Sequence, residues 1–142
     1  WTGLGQAQVL TNPIQMNRIM AIIANNGKNI QPFLIKNSEK TDDFKQLIEK
    51  ETANKLEKML VNVVERGTGK NANIDGIKVA GKTGTAEIGI DEEKSHAWFV
   101  GYAPVKNPKF AITVFLENGG VGGEKAAPIF KKIITNVAKE NK

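Results

Sequence analysis

Apolar positions recur along this chain with two different periods, and the period changes near its middle. Ile14, Ile19, Met20, Ile22 and Ile23 fall on one face of a helix. Thr11 or Asn12 can cap that helix, Pro13 suits its first turn, and Gln15 stands three residues after Asn12. Gly27 is a natural stop. Pro32 to Lys36 forms a short extended piece, and Asn37 to Asp43 is polar and loop-like. Phe44, Leu47 and Ile48 suggest a short helix. A stronger helix starts at Thr52, where Ala53, Leu56, Met59, Leu60, Val63 and Val64 recur at helical spacing until Gly67. Gly67-Thr68-Gly69-Lys70 is a cap and turn.

From Gly76 the pattern becomes that of strands. Gly76 through Ile88 predicts one extended strand, followed by the polar turn Gly89 to Lys94. Ala97 to Ala103, closed by Pro104, is a second strand, and Phe110 to Leu116 is a third. Short connections imply an antiparallel meander. Asn118 to Gly123 is a flexible link. A last helix runs from about Glu124 to Lys139, with Ala127, Phe130, Ile133, Ile134 and Val137 on the face that covers the sheet. The fold class is therefore α+β. Residues 1–75 are mainly helical, and residues 76–142 form a β-meander plus the C-terminal helix.

Composition narrows the functions without choosing one. A chain of 142 residues with 40% hydrophobic residues is one domain or a piece of one. The net charge of +5 comes from scattered lysines with no arginine-rich block, which argues against nucleic acid. The absence of cysteine excludes thiol catalysis and thiolate metal sites. No His, Asp or Glu spacing argues for a metal, and no cofactor is expected. No apolar run is long enough to span a bilayer. Trp1-Thr2-Gly3-Leu4-Gly5-Gln6 does not resemble a natural start, so a fragment is expected, with an export signal and anchor upstream.

One stretch concentrates chemistry: Ala80-Gly81-Lys82-Thr83-Gly84-Thr85-Ala86-Glu87. A strand alternates its side chains, so Lys82 and Gly84 point to one side and Thr83 and Thr85 to the other. A cation, hydroxyls and backbone N–H groups together can hold an anionic substrate. Gly76 through Thr83 also fits the phosphate-loop pattern G-x-x-x-x-G-K-[ST]. That pattern requires a helix directly after its Lys, where this chain has Gly84 and Gly89. His96 has no acid fixed beside it by sequence and is read as structural; Trp98, Phe99 and Tyr102 are read as sheet packing.

Lys82-Thr83-Gly84 is also a K-T-G box. With it stand Thr2 to Gln6, Thr11-Asn12-Pro13-Ile14-Gln15-Met16, Ala24-Asn25-Asn26-Gly27, Ala97-Trp98-Phe99-Val100-Gly101-Tyr102-Ala103-Pro104 and the closing helix at Ala127-Pro128. In this order they resemble the C-terminal part of a penicillin-binding protein transpeptidase domain. The resemblance implies a serine D,D-transpeptidase that cross-links peptidoglycan outside the cytoplasmic membrane, with D-Ala-D-Ala stem peptides and β-lactams as ligands. It implies that Lys82 and Thr85 are catalytic and that Lys82, Thr83, Gly84 and Thr85 bind substrate. Lys82 would supply positive charge, Thr83 and Thr85 would offer hydroxyls to a carboxylate, and the Thr85 N–H would be an oxyanion donor. The family's nucleophile box S-x-x-K and its S-x-N box are both missing, because Ser38 is followed by Glu39-Lys40-Thr41 and Ser95 by His96-Ala97-Trp98. The family sheet has five strands, of which three are expected here. The outer edge of 110–116 should then be unpaired or filled by another chain, with self-association as a consequence. A penicillin-sensing or wall-binding module of the same fold is the alternative.

Overall fold

The computed structural model describes residues 10–33, 44–87 and 95–140. Helix α1 (Pro13–Ala24) opens on Asn12, whose side chain accepts the Gln15 N–H at 2.9 Å. Helix α2 (Lys50–Arg66) ends on Gly67, and a single 3-10 turn (Lys70–Ala72) follows. Three strands come next: β1 (Ala80–Glu87), β2 (Ser95–Ala103) and β3 (Phe110–Leu116). Helix α3 (Gly122–Glu140) closes the chain.

The strands form one antiparallel sheet in the order β1-β2-β3. Its two faces are buried by different helices, which the alternation along β2 makes possible. Phe99 points toward α3 and meets Phe130 with ring centroids 4.8 Å apart. Val114, Ala127 and Ile134 complete that layer. Val100 and Tyr102 point the other way and pack with Met20, Ile23, Leu60 and Val61 of α1 and α2. The Tyr102 hydroxyl, carried deep into this layer, donates to the Glu57 carboxylate at 2.9 Å. Burial, and then that carboxylate, push the hydroxyl well above the ordinary tyrosine value.

Several expected bounds change. Strand β1 starts at Ala80, not Gly76, because Gly76 adopts φ +76° and an Ile74–Ile77 bridge folds the chain just before it. Ile88 and the turn 89–94 lie outside the described residues. No helix forms at Phe44, Leu47 and Ile48. There the main chain pairs with the end of α1: Leu47 and Ile48 donate to the Gly27 carbonyl and Asn29 donates to Lys45. A weak local period thus gives way to tertiary pairing. Helix α2 starts at Lys50, ahead of Thr52, and α3 starts at Gly122, ahead of Glu124. Ile14, Ile19 and Met59 are largely exposed, whereas Val61, not assigned to a face, is buried. Pro32 and Phe33 form no strand, and 34–43 lie outside the described residues.

Candidate functional site

Strand β1 is one end of the sheet and pairs only with β2 among the described residues. An antiparallel end strand bonds its neighbour through alternate residues and leaves the other N–H and C=O groups facing outward. The Lys-Thr-Gly-Thr run lies on this strand. Lys82 opposes Val100 and Gly84 opposes Trp98, so both share the α1/α2 face of the sheet. Thr83 and Thr85 face α3. The alternation expected from sequence is the one present.

Each polar group has a defined neighbour. The exposed Lys82 ammonium donates to the Thr83 carbonyl at 2.8 Å. The Thr83 hydroxyl lies 2.7 Å from that of Thr68. The Thr85 hydroxyl accepts the Gly122 N–H at 3.2 Å, which leaves its own hydrogen free to donate. Main-chain groups two residues apart on a strand point the same way. The Thr85 N–H therefore shares the direction of the Thr83 carbonyl on which Lys82 sits.

Two glycines bring the supporting elements this close. A Cβ on Gly122 would fall closer than 3.0 Å to the carbonyl oxygens of both Gly84 and Trp98, so only glycine lets α3 begin against this strand. A Cβ on Gly81 would lie 2.5 Å from Phe99 Cζ, so the ring of Phe99 closes over the strand next to Lys82. Gly84 has looser surroundings, with Trp98 Cβ 3.2 Å from where its own Cβ would sit.

The phosphate-loop alternative fails on element type. Lys82 and Thr83 lie inside a strand that continues to Glu87, with no helix at the Lys. Ser95 is buried at the start of β2 and is no candidate nucleophile; Ser38 lies outside the described residues. His96 accepts the Asn118 N–H at 3.0 Å and packs edge-on against Phe115, so it holds the turn after β3. A groove of about 450 Å³ between α2 and Lys78–Val105 shares no residue with the 82–85 segment. Thr68 and Gly122 were assigned by sequence to a turn and a linker. Nothing in the local pattern says that they meet Thr83 and Thr85.

A helical layer, an antiparallel sheet and a C-terminal helix on the reverse face are consistent with the transpeptidase fold of penicillin-binding proteins. The comparisons give the family. The penicillin binding protein transpeptidase domain matches residues 2–135, and the chain belongs to that family. It is 35% identical over 150 residues to peptidoglycan D,D-transpeptidase PbpA of Mycobacterium tuberculosis, covering 94% of this chain and 30% of the relative. It is 34% identical over 158 residues to peptidoglycan D,D-transpeptidase MrdA of Haemophilus influenzae, covering 93% and 24%. Among solved structures it resembles penicillin-binding protein A of M. tuberculosis in a ceftriaxone acyl-enzyme complex. That match has TM-score 0.80 and 32% identity, over 92% of this chain and 33% of that one. Pseudomonas aeruginosa PBP2 in complex with WCK 5153 matches with TM-score 0.81 and 31% identity, over 94% and 31%. The chain thus spans a third or less of the length of these proteins.

Proposed function

We propose that this chain supplies the second half of the acyl-transfer site of a serine D,D-transpeptidase that cross-links peptidoglycan. The observation that carries the reading is a Lys-Thr-Gly-Thr run on an open sheet edge, in a chain whose family includes β-lactam acyl-enzymes. The nucleophilic serine and its partner box belong to a preceding part of the same domain. Peptidoglycan lies outside the cytoplasmic membrane, so the working protein is extracytoplasmic. Its acyl donor is a stem peptide ending in D-Ala-D-Ala, which β-lactams mimic, and its acceptor is an amine of a second stem peptide.

The chemistry follows from the edge. The substrate lies along β1 as an added strand, held by outward main-chain groups. Its terminal carboxylate is drawn by the Lys82 ammonium and takes hydrogen bonds from the hydroxyls of Thr83 and Thr85. The missing serine attacks the carbonyl carbon of the penultimate D-Ala while its proton passes to a neighbouring basic group, and negative charge develops on the carbonyl oxygen. The Thr85 N–H, paired with the N–H of the nucleophile, receives that charge. When the carbonyl re-forms, the peptide bond breaks and the terminal D-Ala leaves with the proton on its amine. An acceptor amine later attacks the acyl ester and frees the serine. A fixed donor such as the Thr85 N–H is worth about 3–4 kcal/mol in the transition state. Lys82 also supports proton movement through the S-x-N serine on the opposite wall. Gly84 keeps the approach open.

Labelling the full-length protein with a fluorescent penicillin tests the reading. Wild type should be acylated, Lys82→Met should be acylated at least about a hundredfold more slowly, and the isolated 1–142 chain should not be labelled. Equal labelling of wild type and Lys82→Met would refute the site.

A further inference from the structure

The geometry points to Thr68 as a positioning residue that sets the direction of the Thr83 hydroxyl toward a substrate carboxylate. This role rests on the functional reading above and adds a residue to it. Thr68 is held from three sides. The N–H groups flanking it, of Gly67 and Gly69, both donate to the Val63 carbonyl, at 3.1 and 3.0 Å. The Ala72 N–H donates to Gly69 at 2.9 Å. From α3, the absent side chain of Gly123 leaves room for the Thr68 carbonyl, and Asn71 Nδ2 fastens that turn by donating to the Gly123 carbonyl at 2.8 Å. The Thr83 methyl lies 3.6 Å from the Cβ position of Gly123, which limits the side-chain rotamer of this β-branched residue.

Between two hydroxyls 2.7 Å apart, one donates and the other accepts. An anion at Thr83 decides which. The Thr83 hydrogen goes to the carboxylate, so the Thr83 oxygen accepts from Thr68. The chain of bonds then runs from Thr68 to Thr83 to the carboxylate, and each bond polarises the next. Thr85 is set in the same way, because the Gly122 N–H occupies one lone pair of its oxygen and leaves its hydrogen to donate. Both hydroxyls thereby become donors toward the open edge. Thr68 accordingly favours acyl donors with a free carboxylate over neutral ones.

The test measures second-order acylation of the full-length protein by benzylpenicillin and by its methyl ester, in wild type, Thr68→Val, Thr68→Ala and Thr68→Ser. With the free acid, the Val and Ala variants should lose about five- to tenfold, the size of one ordinary hydrogen bond between neutral groups. With the ester they should change less than about twofold, so the acid-to-ester ratio falls. Thr68→Ser should restore the wild-type ratio. An equal loss on both compounds would make Thr68 a packing residue only, and no loss on either would leave it no role; each result overturns the inference while the wild-type acylation keeps the functional reading intact. A wild type that takes no penicillin overturns the functional reading, and the Thr68 role with it.

Discussion

Gly122→Ala is the substitution that most sharply separates a supported edge strand from an unsupported one. The new methyl would lie closer than 3.0 Å to two carbonyl oxygens, those of Gly84 and Trp98, and 3.1 Å from the Gly84 carbonyl carbon. These are main-chain atoms of paired strands and cannot turn aside as a flexible side chain can. The first turn of α3 must retreat. Overpacking of this kind costs about 1–3 kcal/mol. The retreat also breaks the Gly122 N–H bond to Thr85, already long at 3.2 Å, which removes about 1 kcal/mol more. Alanine recovers less than about 1 kcal/mol through helix propensity, because position 122 is the first residue of the helix. The net loss is about 2 kcal/mol, which lowers Tm by about 3 °C in a domain of roughly 300 residues. Calorimetry of the full-length protein measures it, and penicillin acylation should slow in parallel as Thr85 loses its donor. Gly120→Ala is the control, since Gly120 has φ +79° but nothing within 4 Å of its Cβ position. It should cost only about 1 kcal/mol of backbone strain and leave acylation unchanged. A Gly122→Ala protein with wild-type Tm and wild-type acylation would refute the claim that α3 seats the strand.

Three further outcomes follow from other parts of the molecule. Tyr102 stays protonated in the fold because burial and Glu57 raise its pKa, while in the unfolded chain it ionises near its ordinary value. Its contribution is complete below about pH 10 and is lost above it at about 1.4 kcal/mol per pH unit; Tyr102→Phe should remove that part of the alkaline slope in urea titrations, and an unchanged slope would deny the coupling. Asn12→Ala removes the cap of α1 and should lower stability by about 1 kcal/mol, read from the urea midpoint, with no effect if Thr11 takes over. The outer edge of β3 is unpaired among the described residues and carries Phe115 36% exposed, so the isolated chain should self-associate in sedimentation runs at rising concentration; a clean monomer would refute this.

Much of the fold could be read from local pattern, because the signals there are local. Asn12, Pro13 and Gln15 announce the start of α1 through contacts no more than three residues apart. The glycine-rich link from Asn118 closes the apolar run of β3, whose bounds match expectation. The misses share a different cause. The Leu47 and Ile48 amides find their acceptor at Gly27, some twenty residues earlier in sequence, and no window of helical period contains that partner. Glycines 122 and 123 suggested a link because glycine disfavours helix, yet they start α3 because a Cβ on Gly122 would strike the Gly84 and Trp98 carbonyls of the sheet and one on Gly123 the Thr68 carbonyl. The candidate site divides in the same way. Lys82, Thr83, Gly84 and Thr85 were legible as a motif on one strand. Thr68 and Gly122 were not, because their bonds to the site join residues 15 and 37 positions apart.

The most direct measurement is peptide mapping by mass spectrometry of the full-length protein after brief exposure to penicillin. A single covalent adduct is expected, on a serine in the preceding part of the domain, with its loss in Lys82→Met over the same exposure. An adduct on Ser38 or Ser95, or no adduct at all, would contradict the assignment of β1 as one wall of an acyl-transfer site.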